Sequence, residues 1–177
     1  MKILSAVGAC AVTVSLVGCA ALEVQPYQPA PHGVSIIKNQ YGSYSVDSIR
    51  VVKTGSQASG EALQFCFAQN VPGITGTPLL NPSKTRITAQ GRDQVTFIVP
   101  MSMGTPLNYE MAFSLTQSTV NGQHVYEFTN LKIKGTWTAN ETPLPGTSEA
   151  SLYIDSARAK AETISGAVSA CLAAEAS

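Results

Sequence analysis

The sequence predicts an α+β fold, a two-layer sandwich in which an antiparallel meander sheet carries two helices on one face. Apolar and polar residues alternate over long stretches between residues 84 and 134, which is typical of strands with one buried face. An Asn-Gly pair at 121–122 separates two of these stretches and is a strong hairpin signal. The segment from Ser156 to Ala174 instead repeats small and apolar residues at helical spacing.

The first 18 residues have the pattern of an export signal. Lys2 supplies a positive charge, and residues 3–18 contain no charged residue. This uncharged stretch includes Gly, Ser and Thr and is shorter than the roughly 20 apolar residues that a spanning helix needs. We therefore interpret residues 1–18 as a signal peptide that is removed from the mature protein.

The signal ends in Leu16-Val17-Gly18-Cys19, which resembles the lipobox of bacterial lipoproteins processed by signal peptidase II. The resemblance covers these four residues: a branched apolar residue, a tolerant position, a small residue and a cysteine. It implies that the Cys19 thiol is alkylated by a diacylglyceryl group and that cleavage makes Cys19 the first residue. Val7-Gly8-Ala9-Cys10 is a weaker match, because cleavage there would leave an apolar segment of about seven residues. An ordinary buried Cys19 is the alternative.

The residue after this cysteine is Ala20. In Gram-negative lipoproteins that resemble this chain, a non-acidic residue there implies sorting to the outer membrane. The expected location is therefore the cell envelope, at the outer membrane and facing the periplasm, with the membrane as a partner through the lipid anchor. Two or three acyl chains hold a protein firmly, so the anchor requires no amphipathic segment.

The mature chain is expected to form a tether, residues 19–33, and a single domain, residues 34–177. The tether contains three prolines, which favour a semi-extended backbone. Strands are predicted at Val34–Lys38 and Tyr44–Lys53, around a turn at Tyr41-Gly42-Ser43.

Residues 57–69 are predicted as the first helix, with a strand as the alternative. They contain no Val, Ile or Thr, whose branched side chains favour strands. Ser59 can serve as the N-cap, and Asn70 before Val-Pro-Gly is a plausible stop. In a helix, three apolar side chains would share one face: Leu63, Cys66 and Phe67.

A four-strand meander is predicted to follow. Its strands are Lys84–Gln90, Gln94–Met101, Tyr109–Val120 and Gln123–Lys134. A turn at Gly91-Arg92-Asp93 would join the first two, and a type I′ turn at Asn121-Gly122 the last two. In the third strand, alternate residues would face the core: Tyr109, Met111, Phe113 and Leu115. Trp137 lies just beyond the last strand.

The second helix is predicted from Ser156 to Ala174, with Asp155 as its N-cap. Small and apolar residues recur at spacings of four and three along one stripe: Ala157, Ala161, Ile164, Val168 and Cys171. Cys171 is therefore expected to face the core.

Cysteine usage predicts a disulfide. Of four cysteines, Cys10 leaves with the signal and Cys19 would carry lipid, so Cys66 and Cys171 remain in an oxidising compartment. Two cysteines have one possible pairing. Two separate buried thiols are the alternative.

The order of the predicted elements, strand, helix, four-strand meander and helix, resembles that of TBP-like or helix-grip domains. The resemblance rests on element order alone, and a shared fold carries no function with it.

Composition and motifs exclude several function classes. The chain has 11 basic and 11 acidic residues, and losing Lys2 leaves one more acidic than basic, whereas nucleic-acid binding requires clustered positive charge. His32 lies in the tether and His124 beside a hairpin tip, so neither suits an oriented catalytic base. No nucleophile-elbow or zinc-ligand spacing occurs. We expect no enzyme activity, no metal and no cofactor.

Two apolar loops suggest a surface for a protein partner. The loop 71–83 carries Ile74, Leu79 and Leu80, and the loop 101–107 carries Met101, Met103 and Leu107. In the predicted meander both loops lie at one end of the sheet. Our hypothesis is an adaptable partner-binding surface, and the alternative is that these residues cap the core.

The sequence leaves two possible functions open. The first is a non-catalytic envelope lipoprotein that binds another envelope protein or supports an assembly. The second is a periplasmic carrier that holds a small apolar ligand between sheet and helices. A carrier requires a lined cavity of a few hundred Å³, and a solid core would exclude it.

Overall fold

The computed structural model describes residues 24–55, 57–98, 106–135 and 140–176. These ranges contain seven strands and two α-helices, in chain order β1 (Val34–Lys38), β2 (Tyr44–Thr54), α1 (Gly60–Asn70), β3 (Thr75–Leu80), β4 (Arg86–Ile98), β5 (Pro106–Val120), β6 (Gln123–Gly135), β7 (Thr142–Pro143) and α2 (Ser151–Glu175). A short 3₁₀ turn, Ser148–Ala150, leads into α2.

All strands belong to one antiparallel sheet. Its order is β1-β2-β6-β5-β4-β3, with β7 paired to β6. The consecutive strands β3 to β6 form a meander, and β2 joins its far side by pairing with β6. Both helices pack on one face of the sheet, so the predicted α+β two-layer sandwich is confirmed. We call the opposite side of the sheet, which neither helix covers, the open face.

The core lies between the sheet and α2. The inward residues of β5 alternate as predicted, and α2 adds the predicted stripe, so that one buried cluster spans both layers. Its fully buried large side chains include Tyr126, Phe67, Phe128, Ile49, Ile87, Met111 and Leu115. Each such side chain contributes roughly 1.5–3 kcal/mol by leaving water. The hydrophobic effect therefore holds α2 on the sheet.

Helix α1 forms where the sequence predicts it. The Ser59 hydroxyl accepts a hydrogen bond from the backbone N–H of Ala62 at 3.1 Å, which is the predicted N-cap. The helix ends at Asn70, and the three residues predicted to share a face are buried: Leu63, Cys66 and Phe67.

The predicted turn at Gly91-Arg92-Asp93 is wrong, because these residues lie within the single 13-residue strand β4. Gly91 is buried there, and a Cβ atom on it would lie 2.7 Å from the Phe113 ring. Glycine in this strand permits close packing and does not mark a chain reversal. The two strands predicted here are therefore the single strand β4. The meander still has four strands, because β3 precedes β4 and pairs with it.

The region predicted as the loop 71–83 contains the edge strand β3. Pro78 lies within it, and proline is tolerated in an edge strand because one side of such a strand needs no ladder hydrogen bonds. The prolines and glycines around β3 produce a loop-like composition although the backbone pairs with β4.

The predicted start of the second helix is also wrong. Helix α2 begins at Ser151, with Ala150 in the N-cap position, so Asp155 lies inside the helix and is not its cap. The Asp155 carboxylate accepts a hydrogen bond from the Tyr27 hydroxyl at 3.4 Å.

The predicted Asn121-Gly122 hairpin is confirmed, since both residues have positive φ, 50° and 70°.

Candidate functional site

The predicted disulfide is present in the structure. Cys66 and Cys171 are bonded, with 5.7 Å between their Cα atoms, and the bond joins α1 to α2. Cys66 is fully buried, so the bond belongs to the core. Cys19 lies outside the described residues.

The prediction that the two apolar loops lie at the same end of the sheet is wrong. Because β4 is one strand, Leu79 pairs beside Thr88 near its start, whereas Leu107 pairs with Phe97 near its end. Strand residues rise about 3.3 Å each, which separates Leu79 from Leu107 by roughly 30 Å. These two side chains therefore do not belong to one surface.

The individual members of that set have different environments. Ile74, Leu80 and Leu107 are partly buried and pack against the core, as the core-capping alternative expects. Leu79 is 73% exposed on the edge strand. Met101 and Met103 lie outside the described residues.

The open face has a shallow groove along its centre. The outward side chains of β5 are small there, including Ala112, Ser114, Thr116 and Ser118. Longer side chains of β4 and β6 form the walls, with a volume of about 270 Å³ between them: Gln90, Arg92, Asn130 and Lys132. We call this depression the open-face groove.

A bulge in β6 shapes one wall of the open-face groove. The β5–β6 register shifts between Ala112 and Ser114, and Asn130 has a φ of 51°. Such a bulge re-aims side chains locally. Here the Asn130 amide donates a hydrogen bond to the Ser114 hydroxyl at 3.3 Å. Asn130 is therefore held over the groove floor.

A charge cluster occupies one end of the groove. Arg92 Nη1 lies 2.6 Å from Glu110 Oε1 and 2.7 Å from Glu141 Oε1, and Lys132 Nζ lies 3.8 Å from Glu141 Oε2. The hydrogen bonds to Glu110 and then Glu141 raise the pKa of Arg92. Because these side chains are solvent-exposed, their pairing stabilises the fold little. Their main effect is a fixed pattern of charge on an accessible surface.

Two further depressions continue from this cluster along the sheet. One of about 400 Å³ is lined by residues that include Gln94, Glu110 and Lys134. Another of about 440 Å³ includes Gly73, Arg92 and Glu110. The polar surface therefore extends well beyond the open-face groove.

Aromatic side chains pack where α2 crosses the ends of β4 and β5. The rings of Phe97 and Tyr153 lie 4.5 Å apart, and the Tyr153 hydroxyl donates to the Tyr109 hydroxyl at 2.9 Å. Burial, followed by the contacts with Tyr109, raises the pKa of Tyr153 to about 12. This cluster is structural in character, since its hydroxyls bond to each other.

Within the described ranges, three polar side chains lie in the core: Gln117, His124 and Ser165. His124 is the histidine that the sequence placed beside the hairpin, and its ring packs edge-on against Tyr126 at 6.3 Å. Among the described residues, no group of three or more His, Cys, Asp or Glu side chains could hold a metal ion. In the same part of the chain, neither helix has the length and apolarity of a transmembrane span.

The start of the described chain is attached to the domain. Pro26 forms an antiparallel bridge with Thr147, and the Tyr27 N–H donates to the Gly146 carbonyl at 2.9 Å. The Ser148 hydroxyl donates to the Pro26 carbonyl at 3.2 Å. Residues from Pro26 onward, predicted as part of a free tether, therefore belong to the folded domain.

Comparisons with known proteins show the fold. A DUF4468 family protein from Bacteroides ovatus matches with a TM-score of 0.51 at 8% identity, covering 72% of this chain and 86% of its own. A TBP-like protein from Parabacteroides distasonis matches with a TM-score of 0.45 at 6% identity, covering 71% and 91%. No family model and no curated protein matches the sequence. The likeness to the DUF4468 family protein thus shows a shared α+β fold.

Proposed function

We propose that this chain is a lipoprotein of the bacterial cell envelope whose domain is a non-catalytic module that binds another envelope protein. Acyl chains on Cys19 would hold it at the outer membrane, facing the periplasm. The observation that carries the proposal is the export signal ending in Leu16-Val17-Gly18-Cys19. The folded domain starts only seven residues later, at Pro26.

The open face is the surface that suits a protein partner best. Its four central strands, β2, β6, β5 and β4, measure roughly 19 Å across and 35 Å along, given ~4.8 Å between strands and ~3.3 Å per residue. This area approaches the ~800 Å² that each partner buries in a standard protein interface. The small residues of β5, including Ala112 and Ser114, would let another chain approach the backbone closely.

The polar character of this face favours a protein over a small molecule. The open-face groove, at about 270 Å³, is lined by polar side chains. Ligand pockets, by contrast, are lined mostly by apolar side chains. The charges of Arg92, Glu110 and Lys132 would instead fix the orientation of a partner with complementary charges.

The carrier hypothesis receives less support. Large side chains, including Tyr126, Phe128 and Met111, fill the layer between sheet and helices with no exposure to solvent. The depressions on the open face lie outside that layer. A ligand held between sheet and helices would have to displace this packing.

Two substitutions test the binding surface. Ser114→Arg places a long charged side chain on the groove floor, whereas Gln64→Arg adds the same charge to the exposed side of α1. After crosslinking in cells, the partner captured by the wild-type protein should be lost from the Ser114→Arg protein and retained by the Gln64→Arg protein. Equal capture by both variants would contradict binding through the open face.

A third substitution tests the anchor. The Cys19→Ser protein should leave the membrane fraction, whereas the Ser114→Arg protein should remain in it. If the Cys19→Ser protein sediments with membranes as strongly as the wild type, the lipid anchor is refuted.

A further inference from the structure

Several elements end together at one end of the sheet, which we call the anchor end. The β1–β2 hairpin tip, residues 39–43, lies there, because β1 runs toward this end and β2 runs away from it. The antiparallel registers place the final residues of β6 and β4 at the same end. The first turn of α2 lies there too, since Tyr153 contacts Phe97 near the end of β4.

The N-terminal chain also leaves the domain at the anchor end. Ser45 in β2 bridges Pro145, and Pro26 bridges Thr147, both in antiparallel fashion. Two strands that are antiparallel to a common neighbour run in the same direction. The chain upstream of Pro26 therefore leads toward the same side as the residues upstream of β2, which form the hairpin tip.

The distance from the lipid to the domain is limited by chain length. Pro26 lies seven positions after Cys19, and an extended chain spans at most ~3.6 Å per position, or about 25 Å in total. The chain is held at this point, because the Tyr27 N–H donates to the Gly146 carbonyl and the Ser148 hydroxyl donates to the Pro26 carbonyl. A lipid on Cys19 would therefore keep the anchor end close to the bilayer surface.

The side chains at the anchor end suit a lipid surface. Five of the nine large hydrophobic side chains that are exposed among the described residues lie there: Val24, Ile37, Tyr41, Ile98 and Leu152. Tyr41 is the most exposed of them, at 83%. Tyrosine is enriched at membrane–water interfaces because its ring is apolar and its hydroxyl is polar.

The hairpin tip holds Tyr41 in a defined position. The Asn39 side chain accepts hydrogen bonds from the backbone N–H groups of Tyr41 and Ser43, at 2.9 and 3.0 Å. The Asn39 N–H in turn donates to the Ser43 carbonyl at 2.8 Å. A side chain presented by such an ordered turn loses little backbone freedom when it enters an interface.

We propose that the anchor end faces the bilayer and that Tyr41 enters its headgroup region; this rests on the lipid anchor proposed above. Charged side chains of both signs lie at this end, Lys38 and Lys134 against Glu110 and Glu149, so the contact is aromatic and apolar more than electrostatic. The strands then stand upright on the membrane. The open face points sideways and stays accessible to another protein.

Depth-dependent quenching tests this orientation on the lipidated, full-length protein. A fluorophore is attached to the Tyr41→Cys protein and, as the matched control, to the Val120→Cys protein. Val120 is also exposed, at 51%, but lies at the opposite end of the sheet, beside the Asn121-Gly122 hairpin. The control label is about 35 Å farther from the anchor end, given ~3.3 Å per strand residue.

Both proteins are reconstituted in vesicles of phosphatidylethanolamine and phosphatidylglycerol that contain a headgroup-spin-labelled lipid. We expect quenching of the label at position 41 and only the solvent background at position 120. Equal quenching at the two positions, or none at either while the protein stays on the vesicles, would overturn the orientation and leave the anchor intact. Failure of the lipidated wild-type protein to sediment with vesicles would overturn both proposals.

Discussion

Loss of the Cys66–Cys171 disulfide should destabilise this domain more than any single surface change. The bond closes a loop with a sequence separation of 105 residues. In the chain-entropy account, a cross-link across such a loop stabilises the fold by roughly 4.7 kcal/mol, by restricting the unfolded chain. A domain of this size loses about 2–4 °C of Tm per kcal/mol, so reduction should lower the Tm by roughly 10–19 °C.

The structure also predicts which element opens first when the disulfide is reduced. Helix α1 has 11 residues, and isolated helices shorter than about 12–15 residues are marginal in water. Without the bond to α2, only packing of side chains such as Leu63 and Phe67 holds α1 in place. Amide hydrogen exchange in residues 60–70 should therefore accelerate on reduction before exchange in β5 does.

Calorimetry with and without a phosphine reductant measures the Tm change directly. A protein with both Cys66→Ala and Cys171→Ala serves as the control, since its Tm should already be low and should not respond to the reductant. If the wild-type Tm is unchanged on complete reduction, the argument from loop closure is refuted.

Four further substitutions have effects whose signs follow from single contacts. Gly91→Ala should lower the free energy of unfolding in urea by about 1–3 kcal/mol, because its Cβ would lie 2.7 Å from the Phe113 ring. Gly166→Ala in α2 has open space around the Cβ and should instead raise the free energy of unfolding by roughly 0.5–1 kcal/mol. Changes of the same sign in the two proteins would contradict this reasoning. Gln117→Met should raise the Tm, because the gain from no longer burying an Oε1 atom with no hydrogen-bond partner among the described residues should exceed the loss of the 3.2 Å bond from Nε2 to the Thr119 hydroxyl; a lower Tm would contradict this balance. Tyr153→Phe should remove the phenolate absorbance step near pH 12. Since an unfolded tyrosine ionises near pH 10, Tyr153 should also make wild-type stability fall between pH 10 and about 12, and this part of the fall should be absent from the Tyr153→Phe protein.

Local patterns predicted the elements whose signals are local. Alternation in Tyr109–Val120 predicted which residues of β5 are buried, and Asn121-Gly122 predicted the hairpin that follows. The number of cysteines predicted the disulfide, because only two cysteines remain once Cys10 and Cys19 are set aside. The stripe in the second helix likewise indicated that Cys171 faces inward.

The errors arise where long-range contacts decide the local structure. Gly91 resembles a turn residue until the Phe113 ring is placed against it, and Pro78 resembles a loop residue until β3 is known to be an edge strand. In the candidate site, Arg92 of β4 pairs with Glu141, which precedes β7, and no spacing rule relates residues so far apart in sequence. The buried position of Gln117 could have been found, because it continues the alternation of β5.

The N-terminal residue of the mature protein decides the central proposal. Mass spectrometry of the protein extracted from membranes should find an N-terminal peptide that begins at Cys19 and carries a diacylglyceryl group. An unmodified cysteine at that position, or an intact Gly18–Cys19 peptide bond, would contradict the lipid anchor.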